Sequence, residues 1–82
     1  MSIYPNPASD NAYINLNLTD DSDASIEIYN TVGQLVKTID SIMLQAGENY
    51  VAVETSTLNA GMYIVKANVG GKIMTSNLSV TR

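Results

Sequence analysis

Apolar and polar residues alternate in short stretches along this 82-residue chain. In residues 12–18, Ile14, Leu16 and Leu18 fall on one side of an extended backbone, whereas Tyr and Asn residues fall on the other. A period of two residues is typical of a half-buried β-strand, and no window shows the 3.6-residue apolar repeat of a helix. Turn-forming residues interrupt the pattern about every 8–12 residues. The sequence therefore predicts about seven short strands and essentially no helix.

A glycine and a tyrosine near residue 61 narrow the choice among all-β folds. Gly61 allows a sharp bend, because glycine adopts positive φ values at little cost. Tyr63 lies two residues later, so we expect its ring in the core and its hydroxyl hydrogen-bonded to the backbone near Asn59. This arrangement is the tyrosine corner of Greek-key sandwiches. The fold that we predict is a small immunoglobulin-like, Greek-key β-sandwich.

The last part of the chain is predicted to form a closing hairpin, residues 62–81. Its first strand, residues 62–67, is rich in aliphatic and β-branched residues, and we expect it to be covered on both faces. Gly70-Gly71 supplies a two-residue turn in which both residues can take positive φ. We therefore expect this hairpin to lie at the centre of the sandwich.

Composition limits the chemistry available to the chain. It has no cysteine and no histidine, so it lacks thiolate ligands, the usual general base and the usual zinc ligand. A domain this short cannot enclose the cleft that a glycosidase builds around two carboxylates. The formal charge of −4 disfavours nucleic acid as a partner, and no apolar run approaches the length of a membrane span. We expect a single domain, residues 1–82, that is no enzyme, binds no cofactor and does not insert into a membrane.

Two groups of side chains leave alternatives open. The loop containing Asp20, Asp21 and Asp23 is either solvated or a calcium site, although it lacks the spacing of an EF-hand loop. Tyr13, Tyr29 and Tyr50 lie out of phase with the aliphatic stripes. They form either cross-strand pairs or a flat platform for sugar rings. The platform would make the chain an accessory module that binds glycan or matrix, and a spacer without a partner is a third possibility.

Basic residues are expected to gather at the end of the chain. Lys66, Lys72 and Arg82 are three of its four basic residues. They either protect a sheet edge against pairing with other chains or form a docking surface at the last hairpin and the terminus. The residues alone favour edge protection.

Three motifs follow one another along the chain. Tyr4-Pro5-Asn6-Pro7-Ala8 comes first, residues 28–36 (IYNTVGQLV) come next, and residues 58–66 (LNAGMYIVK) with Gly70-Gly71-Lys72 come last. They resemble the opening segment, the middle strand-turn-strand and the closing hairpin of the C-terminal sorting domains of the type IX (Por) secretion system. The resemblance covers residues 3–82.

This resemblance implies an address label at the C-terminus of a larger secreted protein, from which the present chain is expected to have been excised. The label directs a fused N-terminal cargo through the periplasm and across the outer membrane, so that the cargo reaches the cell surface or the medium. The implied partners are the outer-membrane translocon and a cysteine protease that removes the signal. By the same resemblance, residues of the closing hairpin and the terminus carry the recognition: Gly61, Tyr63, Val65, Lys66, Gly70, Gly71, Lys72, Leu78, Ser79, Val80, Thr81 and Arg82.

Overall fold

The computed structural model describes residues 1–81, and this part of the chain forms seven β-strands and no helix. The result confirms the prediction made from the two-residue period. No helix within the described part is long and apolar enough to cross a membrane. The strands are β1 (Ser2–Tyr4), β2 (Asn11–Leu18), β3 (Ser22–Asn30), β4 (Leu35–Leu44), β5 (Gly47–Glu54), β6 (Gly61–Val69) and β7 (Lys72–Val80).

The strands form two antiparallel sheets that pack face to face as a sandwich of the immunoglobulin-like kind. One sheet has three strands in the order β1-β2-β5, and the other has four in the order β4-β3-β6-β7. Because β5 pairs with β2 and β6 pairs with β3, the chain crosses between the layers twice after β4. The predicted fold class is confirmed.

The core lies between the sheets and is built by the alternating residues. On β2 the buried side chains are Ala12, Ile14 and Leu16, while Leu18 is half-buried near the strand end. On β3, Ile26 and Ile28 point inward as their alternation predicts. Every second residue therefore enters the core, because successive side chains of a strand point to opposite faces.

The expectation that the first strand of the closing hairpin is covered on both faces is wrong. On β6 only every second side chain is buried, and Met62 and Ile64 on the outer face remain 51% and 43% exposed. The reason is that a two-layer sandwich covers each sheet on one face only. The central placement of the hairpin is correct for β6 alone, since β7 is an edge strand.

Candidate functional site

Tyr63 fixes the start of the closing hairpin. Its side chain is buried, and its hydroxyl donates a hydrogen bond to the backbone carbonyl of Asn59 over 2.6 Å. Gly61 lies in the bend between them with a φ of 152°, and nothing lies within 4 Å of the position of an added Cβ. The predicted tyrosine corner is therefore confirmed, with the backbone conformation rather than crowding favouring glycine.

The turn of the closing hairpin has the predicted two-residue form. Val69 pairs with Lys72, and Gly70 and Gly71 have φ values of 57° and 88°. Their amides are both used: Gly71 donates to Oδ1 of Asn68 over 3.1 Å, and Gly70 donates to the Asp23 carbonyl over 3.0 Å. The first bond closes the turn on β6, and the second fixes it against β3.

Lys66 lies in the middle of the outer face of the four-stranded sheet. Its Nζ is 3.8 Å from Oε1 of Glu27 on β3, and both side chains are partly exposed. The pKa of Tyr29 is raised as well. The largest cause is a side-chain hydrogen bond to Glu27, followed by desolvation and then by the negative charge of Glu27. An exposed ion pair of this kind contributes little stability, and the Lys66 side chain remains accessible to a partner.

Of the basic residues expected to cluster, the two in the described part of the chain, Lys66 and Lys72, do not come together. Lys66 is on the outer face, whereas Lys72 shares the core-side face with its partner Val69 and lines a cleft beside Asp20 at the end of the sandwich. The tail lies at the other end of the nine-residue β7, about 26 Å away at about 3.3 Å per residue. An antiparallel hairpin necessarily separates its turn from its free end. Arg82 lies outside the described residues.

The predicted recognition residues of the tail divide by face. Leu78 and Val80 are only 1% and 2% exposed and belong to the core, whereas Ser79 is half-buried and Thr81 is exposed. On β6, Val65 is likewise fully buried. Among the predicted recognition residues that the structure describes, those that offer accessible surface to a partner are Gly61, Lys66, Gly70, Gly71, Lys72, Ser79 and Thr81.

A contact that the sequence did not predict covers the edge of the tail. The segment Asn6–Ala8 runs beside β7, and Ala8 forms a parallel bridge with Val80. The Ala8 amide donates to the Ser79 carbonyl over 2.7 Å, and the Thr81 amide donates to the Ala8 carbonyl over 2.8 Å. The two prolines of this segment give no indication of its pairing with residues more than seventy positions away.

The three outward tyrosines do not form one platform. Tyr13 and Tyr50 lie on the three-stranded sheet with Tyr4, whose ring centroid is 6.3 Å from that of Tyr13 and 6.5 Å from that of Tyr50. Tyr29 lies on the other sheet. The tyrosines therefore divide between two faces, and the neighbouring Glu48 carboxylate raises the pKa of Tyr50 by its charge.

The acidic loop does not assemble a metal site. Within residues 1–81, no group of three or more Asp, Glu, His or Cys side chains is placed to hold a metal ion. Asp21 instead accepts a hydrogen bond from the Ala46 amide over 2.8 Å. It therefore fastens the turn between β4 and β5.

Comparison with known proteins identifies one family. The family model described as "Secretion system C-terminal sorting domain" matches residues 2–81, nearly the whole chain. No curated protein matches the chain. All three sequence motifs lie inside the matched range.

Proposed function

We propose, from the premise that this chain belongs to the family of C-terminal sorting domains of the type IX secretion system, that it is read as a folded sandwich through its closing hairpin and tail. Domains of this family are the C-terminal sorting signals of that system, so the chain acts in directing a fused cargo protein out of the cell. Export ends at the cell surface or in the medium. The family is one of address labels and is not known for catalysis.

The recognition surface that we propose consists of the accessible residues of the closing hairpin. Lys66 and Ser79 lie on the outer face of the sheet, Lys72 lies at its turn end, and Thr81 lies at its tail end. The single observation that carries the proposed function is the family match over residues 2–81. The choice of the hairpin and tail within that range rests on the resemblance of their motif and on the exposure of these residues. Tyr63, Val65, Leu78 and Val80 then serve by holding the hairpin in shape.

The proposed sequence of events follows the family. Residues 1–82 form one sorting domain at the C-terminal end of a larger secreted protein, and the cargo lies on its N-terminal side. The whole protein passes through the periplasm, and outer-membrane components of the translocon bind the domain. A cysteine protease then removes the domain and can attach the cargo to a surface lipopolysaccharide.

Fusion to a reporter tests the proposal. Residues 1–82 are placed at the C-terminus of a periplasmic reporter in cells with an intact type IX system and in cells that lack its translocon. We expect export in the first cells and periplasmic retention in the second. A fusion that stays in the periplasm of both, or leaves both, contradicts the proposal.

Two truncations locate the signal within the fusion. Deletion of residues 78–82 removes Leu78 and Val80 from the core, so we expect it to abolish export and to destabilise the fold. Deletion of Thr81 and Arg82 alone leaves both core residues in place. Loss of export by this shorter deletion, with an unchanged unfolding midpoint, would assign the signal to the exposed tail; full export would place it in the hairpin instead.

A further inference from the structure

The outer edge of β7 is occupied where the tail lies and open elsewhere. Consecutive outward-facing backbone groups of Asn77, Ser79 and Thr81 are hydrogen-bonded to the Asn6–Ala8 segment. Alternation places the outward groups of Ile73 and Thr75 on the same edge, and within residues 1–81 no hydrogen bond to them is formed from that side. The cover is thus confined to the half of β7 that carries the tail.

The side chain of Asn6 takes the place of a strand residue in this cover. Its Nδ2 donates to the Asn77 carbonyl over 3.1 Å, and its Oδ1 accepts from the Ser79 amide over 3.0 Å. Asn and Gln are the side chains that carry a carbonyl acceptor and an N–H donor on one planar group, as the peptide unit does. Asn6 therefore continues the ladder with its side-chain amide rather than with its backbone.

Proline lies on both sides of Asn6. Pro5 and Pro7 have no N–H to donate, so the segment ends a sheet rather than offering a new edge to another chain. Ala8, which follows, is completely buried and brings the segment against Val80. Two independent contacts, one from a side chain and one from the backbone, thus hold the same stretch of tail.

We propose that Asn6 is a positioning residue of the export signal, which holds residues 77–81 as an ordered, paired strand for the secretion machinery to read. This inference rests on the proposed function, because it supposes that the tail is part of what is read. While the Asn6–Ala8 segment is in place, a partner cannot add a strand to the tail. The partner contacts instead the outward-facing side chains of the tail, including those of Asn77 and Ser79.

Amide hydrogen exchange on the 82-residue chain tests the positioning role without reference to export. In Asn6→Ala we expect the Ser79 amide to exchange about tenfold faster, because the variant loses both side-chain hydrogen bonds to the tail. The amides of Val65 and Ala67 in β6 should exchange as before, which shows that the fold is intact. Asn17→Ala is the matched control, since Asn17 is an exposed asparagine near the opposite end of the sandwich.

A second variant separates the two hydrogen bonds of Asn6. Asn6→Asp keeps an acceptor for the Ser79 amide but places a carboxylate against the Asn77 carbonyl, so it loses the donor. We expect Ser79 to keep more of its protection than in Asn6→Ala. Ser79 exchange that is unchanged in Asn6→Ala, or faster only together with Val65, would overturn the positioning role.

Export of the fused reporter then tests what the positioning is for. We expect Asn6→Ala to reduce the exported fraction at least severalfold, Asn17→Ala to leave it unchanged, and Asn6→Asp to fall between. If the unaltered domain is not exported, the proposed function fails. If it is exported, and deletion of residues 78–82 stops export but Asn6→Ala does not, the further inference alone fails.

Discussion

The two edge strands of the four-stranded sheet, β7 and β4, are protected against pairing with other chains in different ways. β7 is regular along its whole length and pairs residue for residue with β6, and the Asn6–Ala8 segment covers its tail half. β4 is the longer strand, with ten residues, and no described segment pairs with its outer edge. An open edge invites pairing with other chains, so β4 requires some other protection.

That protection comes from an irregular backbone. The pairing of β4 with β3 shifts register twice, and at one shift Asp40 and Ser41 together face Ser25. Ser41 has a φ of 51°, a left-handed conformation that a residue other than glycine seldom adopts. Bulges of this kind twist an edge away from a flat partner strand. The edge is protected although Met43 on the same strand remains 66% exposed.

The difference between the bulge on β4 and the covering segment on β7 bears on the geometry of the tail. A bulge protects an edge by distorting it, whereas a covering segment protects it and leaves the strand straight. The half of the sheet that holds the proposed recognition tail has the second kind of protection. The tail can therefore be both regular and unavailable for non-specific pairing.

The largest difference between the two edges is expected when one large apolar residue is truncated on each, Leu78 in the core and Met43 on the surface. Leu78→Ala on β7 is expected to lower the free energy of unfolding by about 2–5 kcal/mol, because it leaves a cavity at a fully buried site. Met43→Ala on β4 should change it by no more than about 0.5 kcal/mol. Urea denaturation of both variants measures the two effects, and equal losses would show that β4 is as tightly packed as β7.

A larger side chain in the Asn6–Ala8 segment should lower the free energy of unfolding by less than Leu78→Ala does, and it should expose the edge of the tail. Ala8→Leu introduces three carbon atoms at a completely buried position, so we expect a loss of about 1–3 kcal/mol from overpacking. The displaced segment uncovers the edge of β7, which should favour self-association visible by analytical ultracentrifugation. Ala52→Leu, at an exposed position of β5, should change neither property. A monomeric Ala8→Leu variant of full stability would show that the segment is not needed as a cover.

The bulge on the other edge can be tested at Ser41. Ser41→Val should lower the free energy of unfolding by about 1–2 kcal/mol, since a β-branched side chain fits the left-handed region poorly. Ser41→Gly should raise it by up to about 1 kcal/mol, because glycine lacks the Cβ that makes this region unfavourable. Thr38→Val, an exposed position of β4, is the control. If all three variants have the same stability, Ser41 does not carry the strain that we assign to it.

The smallest expected effect is a change in the pKa of Tyr29, which lies on the outer face of the four-stranded sheet between its two edges. Glu27→Gln removes the negative charge of Glu27 and leaves a neutral amide oxygen, a weaker acceptor for the Tyr29 hydroxyl. The pKa of Tyr29, which Glu27 raises above its ordinary value of 10.0, should therefore fall toward 10. With Glu27 present, a raised pKa in the folded state means that this contribution to stability is complete below pH 10 and is lost as the pH rises through the folded pKa. NMR titration of the Tyr29 ring measures the change, and an unaltered pKa in Glu27→Gln would rule out Glu27 as its cause.

Much of the fold could be predicted because its causes are local in sequence. The alternation of Ile26 and Ile28 with polar residues sets which face of β3 is buried, whatever its neighbours are. Gly70-Gly71 specifies its turn through two backbone conformations, and the hydroxyl of Tyr63 reaches a carbonyl only four residues away. The family resemblance of the three motifs gave the function in the same way, from short stretches of sequence.

Three features could not be predicted, because they depend on how strands distant in sequence pack together. They are the exposure of Ile64 on the outer face, the separation of Lys66 from Lys72 and the role of Asn6. An apolar run looks the same whether one or two layers cover it, and two lysines close in sequence can lie on opposite faces of a pleated sheet.

The sequence by itself determined the strands, the buried faces of regularly alternating strands such as β2 and β3, the tyrosine corner and the family of this protein. Only the tertiary structure decided which edges are covered and by what. Backbone N–H and C=O groups are the same for nearly every residue, so the sequence of β7 carries no mark of its partner. The partner is the segment that the packed sheets bring to that edge, and here Asn6 is brought to Asn77 from 71 residues away.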